Sequence, residues 1–383
     1  ERAESGRMSG PDVPPEKLVI AGGPVFTGGE DFALLEGHGL LLEEGRVAKI
    51  APLQEIDPAG ARGIDARGKL VMPGLINAHM HFYSTLVRGL GKAAPARYFD
   101  EVLRNLWWRL ARKLTLEDTY ISAILMMLAA VRKGTTTLID HHASPGAITG
   151  SLERMAQAGL ETGLRIGLAY EVSDRDGAQA AAEGLAENAG AVRFCREKGG
   201  GHLRALIGLH ASFTLSDETL DRAAALAADL GVGCHIHCAE AASDQEDCLA
   251  RHGMRVVERL RRRGILGPKT VAAHAVHVDR SEIETLAETG TMVAHNPQSN
   301  LNNAVGIADI PAMLEAWVKR SVPGSEKPSS SALEPARATT CSAISRQAMS
   351  MATGSLDAKT PRLGTSGLSL QLTQSHQGAM SIA

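Results

Sequence analysis

Val71-Met-Pro-Gly-Leu-Ile-Asn-Ala-His-Met-His81 is the stretch whose reading decides the fold. A Pro-Gly step punctuates it, and a short apolar run of strand composition ends in two histidines. In a strand, residues i and i+2 project from the same face, so His79 and His81 point the same way. Two imidazoles sharing one face are what a single metal ion requires.

Working outward, the same punctuation recurs. Candidate strands cover 71–79, 134–140, 164–170, 203–210, 232–238, 270–275 and 291–295. Helix-like segments lie between them at 99–112, 117–132, 149–160, 177–197, 217–230, 250–263 and 280–289. Ser216-Asp-Glu before an Ala/Leu-rich run is an N-cap signal. Strand–helix alternation predicts a parallel sheet with crossover helices, and seven strands approach a (β/α)₈ TIM barrel. An open doubly wound sheet is the alternative, but no Gly-x-Gly-x-x-Gly follows an early strand. Barrel chemistry sits at the C-terminal ends of strands. There the chain carries His79 and His81, Asp140-His-His142, His210, Cys234-His-Ile-His-Cys-Ala-Glu240, His274-Ala-Val-His277 and His295. Most of the 14 histidines are thus spent at strand ends, where unrelated core histidines would have no reason to gather.

The 383 residues suffice for one large enzyme domain and a smaller one. A net charge of −3 and a pI near 6.6 argue against a nucleic-acid binder acting through bulk charge. No apolar run reaches membrane-spanning length and no signal peptide is recognisable. Five cysteines at 195, 234, 238, 248 and 341, without Cys-x-x-Cys, read as reduced thiols in a cytoplasm. Residues 1–15 read as a disordered extension, and 16–70 as a small β-sandwich portion with a turn at Glu44-Gly45. Composition changes at about Trp317. From there to Ala383 the chain is a tail rich in Ser, Ala, Thr and Gly without strand-length apolar runs.

A catalytic zinc-type site needs three or four N/O ligands and an open position for water. His79, His81 and His237 could supply three nitrogens from two strands. Glu240, three residues past His237, is placed to carry a proton between water and a substrate nitrogen. His274 could orient or deprotonate the water, and His210 could bind substrate. His235 shares the face of His237, whose spacing to Glu240 favours it. His277 reads as structural, and His141 and His142 as either pocket-lining or structural. Cys238 reads as a small core residue, and Trp107-Trp108 as packing or a pocket wall.

Pro-Gly-Leu-Ile-Asn-Ala-His-Met-His, His-Ile-His-Cys-Ala-Glu, Ala-His-Ala-Val-His and His-Asn-Pro-Gln-Ser-Asn300 together resemble the amidohydrolase superfamily, within its deaminase and chlorohydrolase branch. Asn105-Leu-Trp-Trp-Arg-Leu110, Asp140-His-His-Ala-Ser-Pro145, Tyr170-Glu-Val-Ser-Asp-Arg-Asp176 and His210-Ala-Ser-Phe-Thr-Leu-Ser-Asp217 are similar to the aminohydrolases called SsnA. The resemblance spans residues 16–316. It implies a (β/α)₈ barrel with a β-sandwich, and one divalent metal, zinc before iron, on His79, His81 and His237. Glu240 and His274 would handle protons and His210 would contact a small N-heterocyclic substrate, a cyclic amidine or aminated ring deaminated by activated water. Oligomerisation is compatible with it; nucleic-acid and membrane partners are not expected.

The sequence departs from that pattern after Ala316. The family continues into an eighth strand ending Gly-Thr-Asp, whose Asp is a metal ligand and proton acceptor. Here Trp317-Val-Lys-Arg-Ser-Val-Pro-Gly-Ser-Glu-Lys327 follows, and no Gly-Thr-Asp occurs. Glu326 only distantly mimics it. Residues 71–316 are therefore expected to give strands one to seven, and 317–383 an aberrant, out-of-frame tail. Two readings stand: an aminohydrolase impaired for want of the strand-eight Asp, or a non-catalytic remnant of a frameshifted gene. A binuclear, dihydroorotase-like site would need a bridging lysine where His210 stands.

Overall fold

The computed structural model describes residues 17–28, 33–87 and 94–321, in two compact units divided after Gly74. The first unit holds the strands β1 (Leu18–Ala21), β2 (Val25–Phe26), β3 (Leu34–Leu35), β4 (His38–Glu43), β5 (Arg46–Pro52) and β6 (Arg62–Asp65), with one 3-10 turn at Leu53–Glu55. Its larger sheet has the order β5-β4-β1-β6, with β1 antiparallel to β4 and parallel to β6. Glu44 and Gly45 turn the chain between β4 and β5 with φ of 51° and 70°. Two successive positive φ values are what a tight type I′ hairpin turn demands. Val19, Ala51 and Ile56 form the small core.

The second unit holds the strands expected at residues 71–295. They are β7 (Leu75–Met80), β8 (Thr135–Asp140), β9 (Arg165–Leu168), β10 (Leu203–Ala205), β11 (Ile207–Ala211), β12 (Cys234–Cys238), β13 (Val271–His274) and β14 (Met292–Ala294). They form two parallel sheets, β10-β9-β8-β7 and β11-β12-β13-β14. The strand expected at 203–210 is divided at Leu206. The Leu206 N–H donates to Leu168 O on the β9 side, and the Ile207 N–H to Gly233 O on the β12 side. A bridge between Val172 and Leu209 continues the pairing past that point. Gly208 is obligatory here, since a Cβ would lie 2.2 Å from Tyr170 O.

Helices cross over between the parallel strands, as right-handed βαβ connection requires. Leu116–Arg132 opens with a reciprocal capping box between Thr115 and Asp118, and Arg280–Thr289 with one between Asp279 and Glu282. Ser216 caps Asp217–Asp229, as its sequence signal predicts. Leu138, Ile166, Leu168, Leu209 and Ile236 from the strands pack on Leu152, Met155, Leu220, Leu260 and Leu286 from the helices.

Where one helix is expected over 250–263, there are two, Ala242–His252 and Val256–Arg262. Gly253 separates them at φ 66°, the left-handed cap that ends many helices. The run from Phe99 to Ala111 contains a π turn at Leu103–Trp107. Pro297–Asn302 and Ile310–Ser321 are further helices, the latter crossing the composition change with Trp317 packed against the core. Among the described residues, Met292–Ala294 is the last strand. The expected extension 1–15 lies outside the described residues; of the tail expected over 317–383, residues 317–321 fall within the last helix and Val322 to Ala383, with Glu326 and Cys341, lie outside the described residues. No single helix among the described residues is long and apolar enough to cross a membrane.

Candidate active site

The C-terminal ends of the parallel strands gather the titratable side chains. β7 brings His79 and His81, β8 leads into His141 and His142, and β9 runs on to Glu171. β11 carries His210, β12 carries His235 and His237 with Glu240 just beyond, and β13 ends on His274. All are buried. The His79 ring centroid lies 4.9 Å from His81, 4.9 Å from His237 and 5.2 Å from His274. His210 is 5.5 Å from His237.

Tautomers follow from the outer contacts. His81 Nδ1 meets His141 O at 2.5 Å, and His237 Nδ1 meets His210 O at 2.8 Å. Carbonyl oxygens only accept, so each Nδ1 carries the hydrogen and each Nε2 keeps its lone pair. These two Nε2 atoms face one another at 3.3 Å. Burial first, and neighbouring imidazoles second, push His237 well below its ordinary pKa, so a proton is a poor bridge. Two nitrogens on a tetrahedral zinc at 2.0–2.1 Å sit roughly 3.3–3.4 Å apart, so a metal ion fits between them. Backbone carbonyls that fix the ring orientation are the usual outer support of metal-binding imidazoles.

Ligand atoms converge in two groups that share His237: His81, His141, Glu171 and His237, and His79, His237 and His274. His79 and His81 thus fall in different groups. His79 Nδ1 instead contacts His235 Nε2 at 2.9 Å, giving His235 a supporting place inside the cluster. His277 Nε2 donates to Val305 O at 2.7 Å, the structural role expected of it. His142 is tied to Ser144 Oγ at 2.9 Å. Cys195, Cys234, Cys238 and Cys248 are buried free thiols.

Glu240 and His274 form a pair, with His274 Nε2 3.5 Å from Glu240 Oε2. Burial pushes the Glu240 carboxyl up to about 8, although Asn303 Nδ2 donates to Oε1 at 3.2 Å. His274 Nδ1 donates to Asn300 Oδ1 at 2.7 Å, leaving Nε2 as the acceptor toward Glu240. Burial lowers His274 to about 4. Ala239, His274 and Ala275 all adopt positive φ, at 46°, 73° and 48°. Such conformations cost non-glycine residues about 1–3 kcal/mol each and cluster at functional sites. They set Glu240 and His274 toward each other across the ends of β12 and β13.

A cleft opens beside Glu240. Tyr83, Phe99, Trp107, Trp108 and Phe213 line it with Glu171, Arg175, His210, His237 and Glu240. Trp107 and Trp108 are therefore a pocket wall. Glu171 and Arg175, absent from the residues picked out by spacing, are part of its lining: Arg175 donates to Glu171 Oε1 at 2.7 Å and lies 5.1 Å over the Trp108 ring. Tyr170-Glu-Val-Ser-Asp-Arg-Asp176 was a motif of the resemblance, but it contains no histidine to mark it as part of the cluster.

The amidohydrolase family model matches residues 70–358. The chain belongs to the amidohydrolase family. It is 31% identical over 308 residues to a 5'-deoxyadenosine deaminase of Methanothermobacter thermautotrophicus, covering 80% of this chain and 68% of that one. It is 34% identical over 305 residues to a 5-methylthioadenosine/S-adenosylhomocysteine deaminase of Symbiobacterium thermophilum, covering 79% and 68%. Among solved structures, an adenosine deaminase from Xanthomonas campestris with bound zinc superposes with a TM-score of 0.68 at 25% identity, covering 79% of this chain and 68% of that one. The atrazine chlorohydrolase of Arthrobacter aurescens TC1, complexed with zinc, shares the fold at a TM-score of 0.67 and 22% identity, covering 78% and 70%. This amidohydrolase is a hydrolase of carbon–nitrogen bonds other than peptide bonds.

Proposed function

We propose that the chain is a metal-dependent aminohydrolase that releases ammonia from an aminated N-heterocycle, with adenine-type nucleosides as the first class to test. The observation that carries this is the buried Glu240–His274 pair beside the histidine cluster, facing an aromatic-walled cleft. His79, His81 and His237 would hold a divalent metal, zinc before iron. When bound, such an ion supplies Lewis-acid activation of water at neutral pH. Glu240 keeps its proton to about pH 8 and can deliver it to a ring nitrogen. His274, oriented by Asn300, takes up a proton through Nε2. His210, whose Nδ1 contacts Thr214 Oγ1 at 2.6 Å, directs Nε2 toward the substrate. The indoles of Trp107 and Trp108 suit a planar ring, whose faces they can cover. The deaminase names of the relatives support an adenine ring. The SsnA-like motifs support an aminated heterocycle without choosing one.

With no Gly-Thr-Asp after Ala316 to supply a further proton acceptor, weak turnover is the expected outcome. The test is ammonia release by the zinc-loaded chain from 5'-deoxyadenosine, methylthioadenosine, adenosine and an aminated triazine. Release above a metal-stripped control, however slow, supports the reading. A folded, zinc-replete chain that releases none from any of them defeats it and leaves a non-catalytic metal-binding remnant.

A further inference from the structure

We propose that Arg175, with the Trp108 indole beneath it, determines specificity by donating to an oxygen on the substrate ring, so that the cleft takes an amino-oxo heterocycle in preference to a ring bearing an amino group alone. This rests on the reading that the cleft receives an aminated N-heterocycle, and it narrows that class. Within adenine-type rings it selects the oxo forms.

Arg175 sits on a 3-10 turn, Asp174–Asp176, just after β9, where its backbone N–H donates to Ser173 Oγ at 3.3 Å. Its side chain is only 10% exposed and lines the cleft. A guanidinium keeps its five N–H donors at any working pH, so this donor set is fixed whatever the histidine cluster holds. Nη2 donates to Glu171 Oε1 at 2.7 Å, and Nε lies 3.5 Å from Asp176 Oδ2. Nη1 is buried with no hydrogen-bond partner among the described residues. Nε1 of Trp108, whose ring lies 5.1 Å from the guanidinium carbon, is a second buried donor in the same condition. Buried donors without acceptors cost free energy, and each calls for a partner that enters the cleft.

Charge and position choose that partner. Glu171 balances the guanidinium, and Asp176 is matched in turn by Arg112 Nε at 2.8 Å. A carboxylate on the substrate would add an uncompensated charge to a buried site, whereas an oxo oxygen brings only lone pairs. The ligand atoms of Glu171, His81 and His237 lie within 4.8 Å of one another, and Arg175 is bonded to that same Glu171 carboxylate. The donors therefore stand beside the ring that reacts, not along the tail of a nucleoside. A smaller cavity bounded by Pro145, Ser173 and Asp176 also touches Arg175, but Trp108 borders the cleft and not that cavity. A ring without an acceptor at this point displaces water from the two donors and returns nothing.

The test is binding, measured by calorimetric titration of the zinc-loaded full chain carrying Glu240→Gln, which suppresses turnover. Matched rings are compared: adenine with its two oxo forms, isoguanine and 8-oxoadenine, and 4-aminopyrimidine with cytosine. An oxo form is expected to bind on the order of ten-fold or more tightly than its parent. Arg175→Lys keeps the charge beside Glu171 but loses the fork, and should bring that ratio below about three-fold with the affinities of the parent rings little changed. A merely structural role would weaken parent and oxo rings alike. Oxo forms that bind no more than about two-fold tighter than their parents overturn the proposal, as does a folded Arg175→Lys chain that keeps the full ratio. Should Arg175→Lys fail to fold, Trp108→Phe decides: it keeps an aromatic wall and removes the second donor, so a lowered ratio supports the proposal and an unchanged one overturns it. Ammonia release by the chain with Glu240 intact separates the two readings. Release from adenine rings without any preference for an oxo form overturns the role of Arg175 and leaves the aminohydrolase standing. A chain that neither binds nor deaminates any of these rings overturns both.

Discussion

Glutamine at position 240 should make the metal-free protein more stable as it destroys activity. The folded chain holds the Glu240 carboxyl at about 8, whereas an ordinary glutamate titrates at 4.5. Between those values the folded protein keeps a proton that the unfolded chain has released. Stability therefore falls as pH rises through this window, by at most roughly 1.4 kcal/mol per pH unit. The accumulated cost is on the order of 5 kcal/mol by pH 8 and constant above it. Glutamine is isosteric with the protonated acid. It keeps the acceptor for Asn303 Nδ2 and offers an N–H to His274 Nε2, and it has no charge to bury. Urea unfolding of wild type and Glu240→Gln, both in excess chelator, should give curves that coincide near pH 4.5. They should separate by several kcal/mol at about pH 9, with the variant the more stable. Turnover of the zinc-loaded variant should drop on the order of 10²-fold or more, with zinc content unchanged. Stability–pH curves that run parallel from pH 5 to about 9 would refute the reasoning, because they require the folded carboxyl to ionise as it does in the unfolded chain.

The same proton sets the rate profile: ammonia release should decline as pH rises through about 8, where Glu240 loses its acid form, and a rate that climbs steadily to pH 10 would count against Glu240 as the proton donor. His237→Ala removes a nitrogen common to both ligand groups, so zinc per chain by elemental analysis should fall below about a tenth of wild type. Asn300→Ala frees His274 to rotate or change tautomer; kcat should fall on the order of ten-fold or more with KM little changed, and an equal loss in KM alone would point to substrate contact instead. Gly208→Ala drives a Cβ to within 2.2 Å of the Tyr170 carbonyl and should cost more than about 2 kcal/mol in chemical denaturation.

The sequence was most legible where periodicity and punctuation agree. Ser216 before an Ala/Leu-rich run announces its helix, and the apolar runs ending in histidine announce β7, β12 and β13. His79, His81, His210, His237, Glu240 and His274 could be picked out because strand parity and strand ends define both their direction and their place. Glu171 could not. It lies beyond the last residue of β9, in a stretch where nothing local separates a buried cleft carboxylate from a surface one. Its burial depends on Arg175 and His141, contacts four and thirty residues away. The split of 250–263 was hidden for a different reason: Gly253 is tolerated inside many helices, and only its left-handed φ makes it a stop. Asn300 and Asn303, which hold His274 and Glu240, sit on and just after a six-residue helix opened by Pro297, too short to show a period.

The handover at Leu206 divides the second unit into two sheets, and the site is divided with it. His79, His81, His141 and Glu171 come from the earlier half of the unit, and His210, His237, Glu240 and His274 from the later half. A folding intermediate with only one half formed therefore owns part of the histidine cluster, and only the later half carries the Glu240–His274 pair. An ion held by His81 and His237 would span the seam and behave as a clasp, engaging after the halves have docked. Zinc should then slow unfolding far more than it hastens folding, because its bonds are absent from a transition state in which the seam is still open. In a cell, the lifetime of this protein would track metal supply through its unfolding rate.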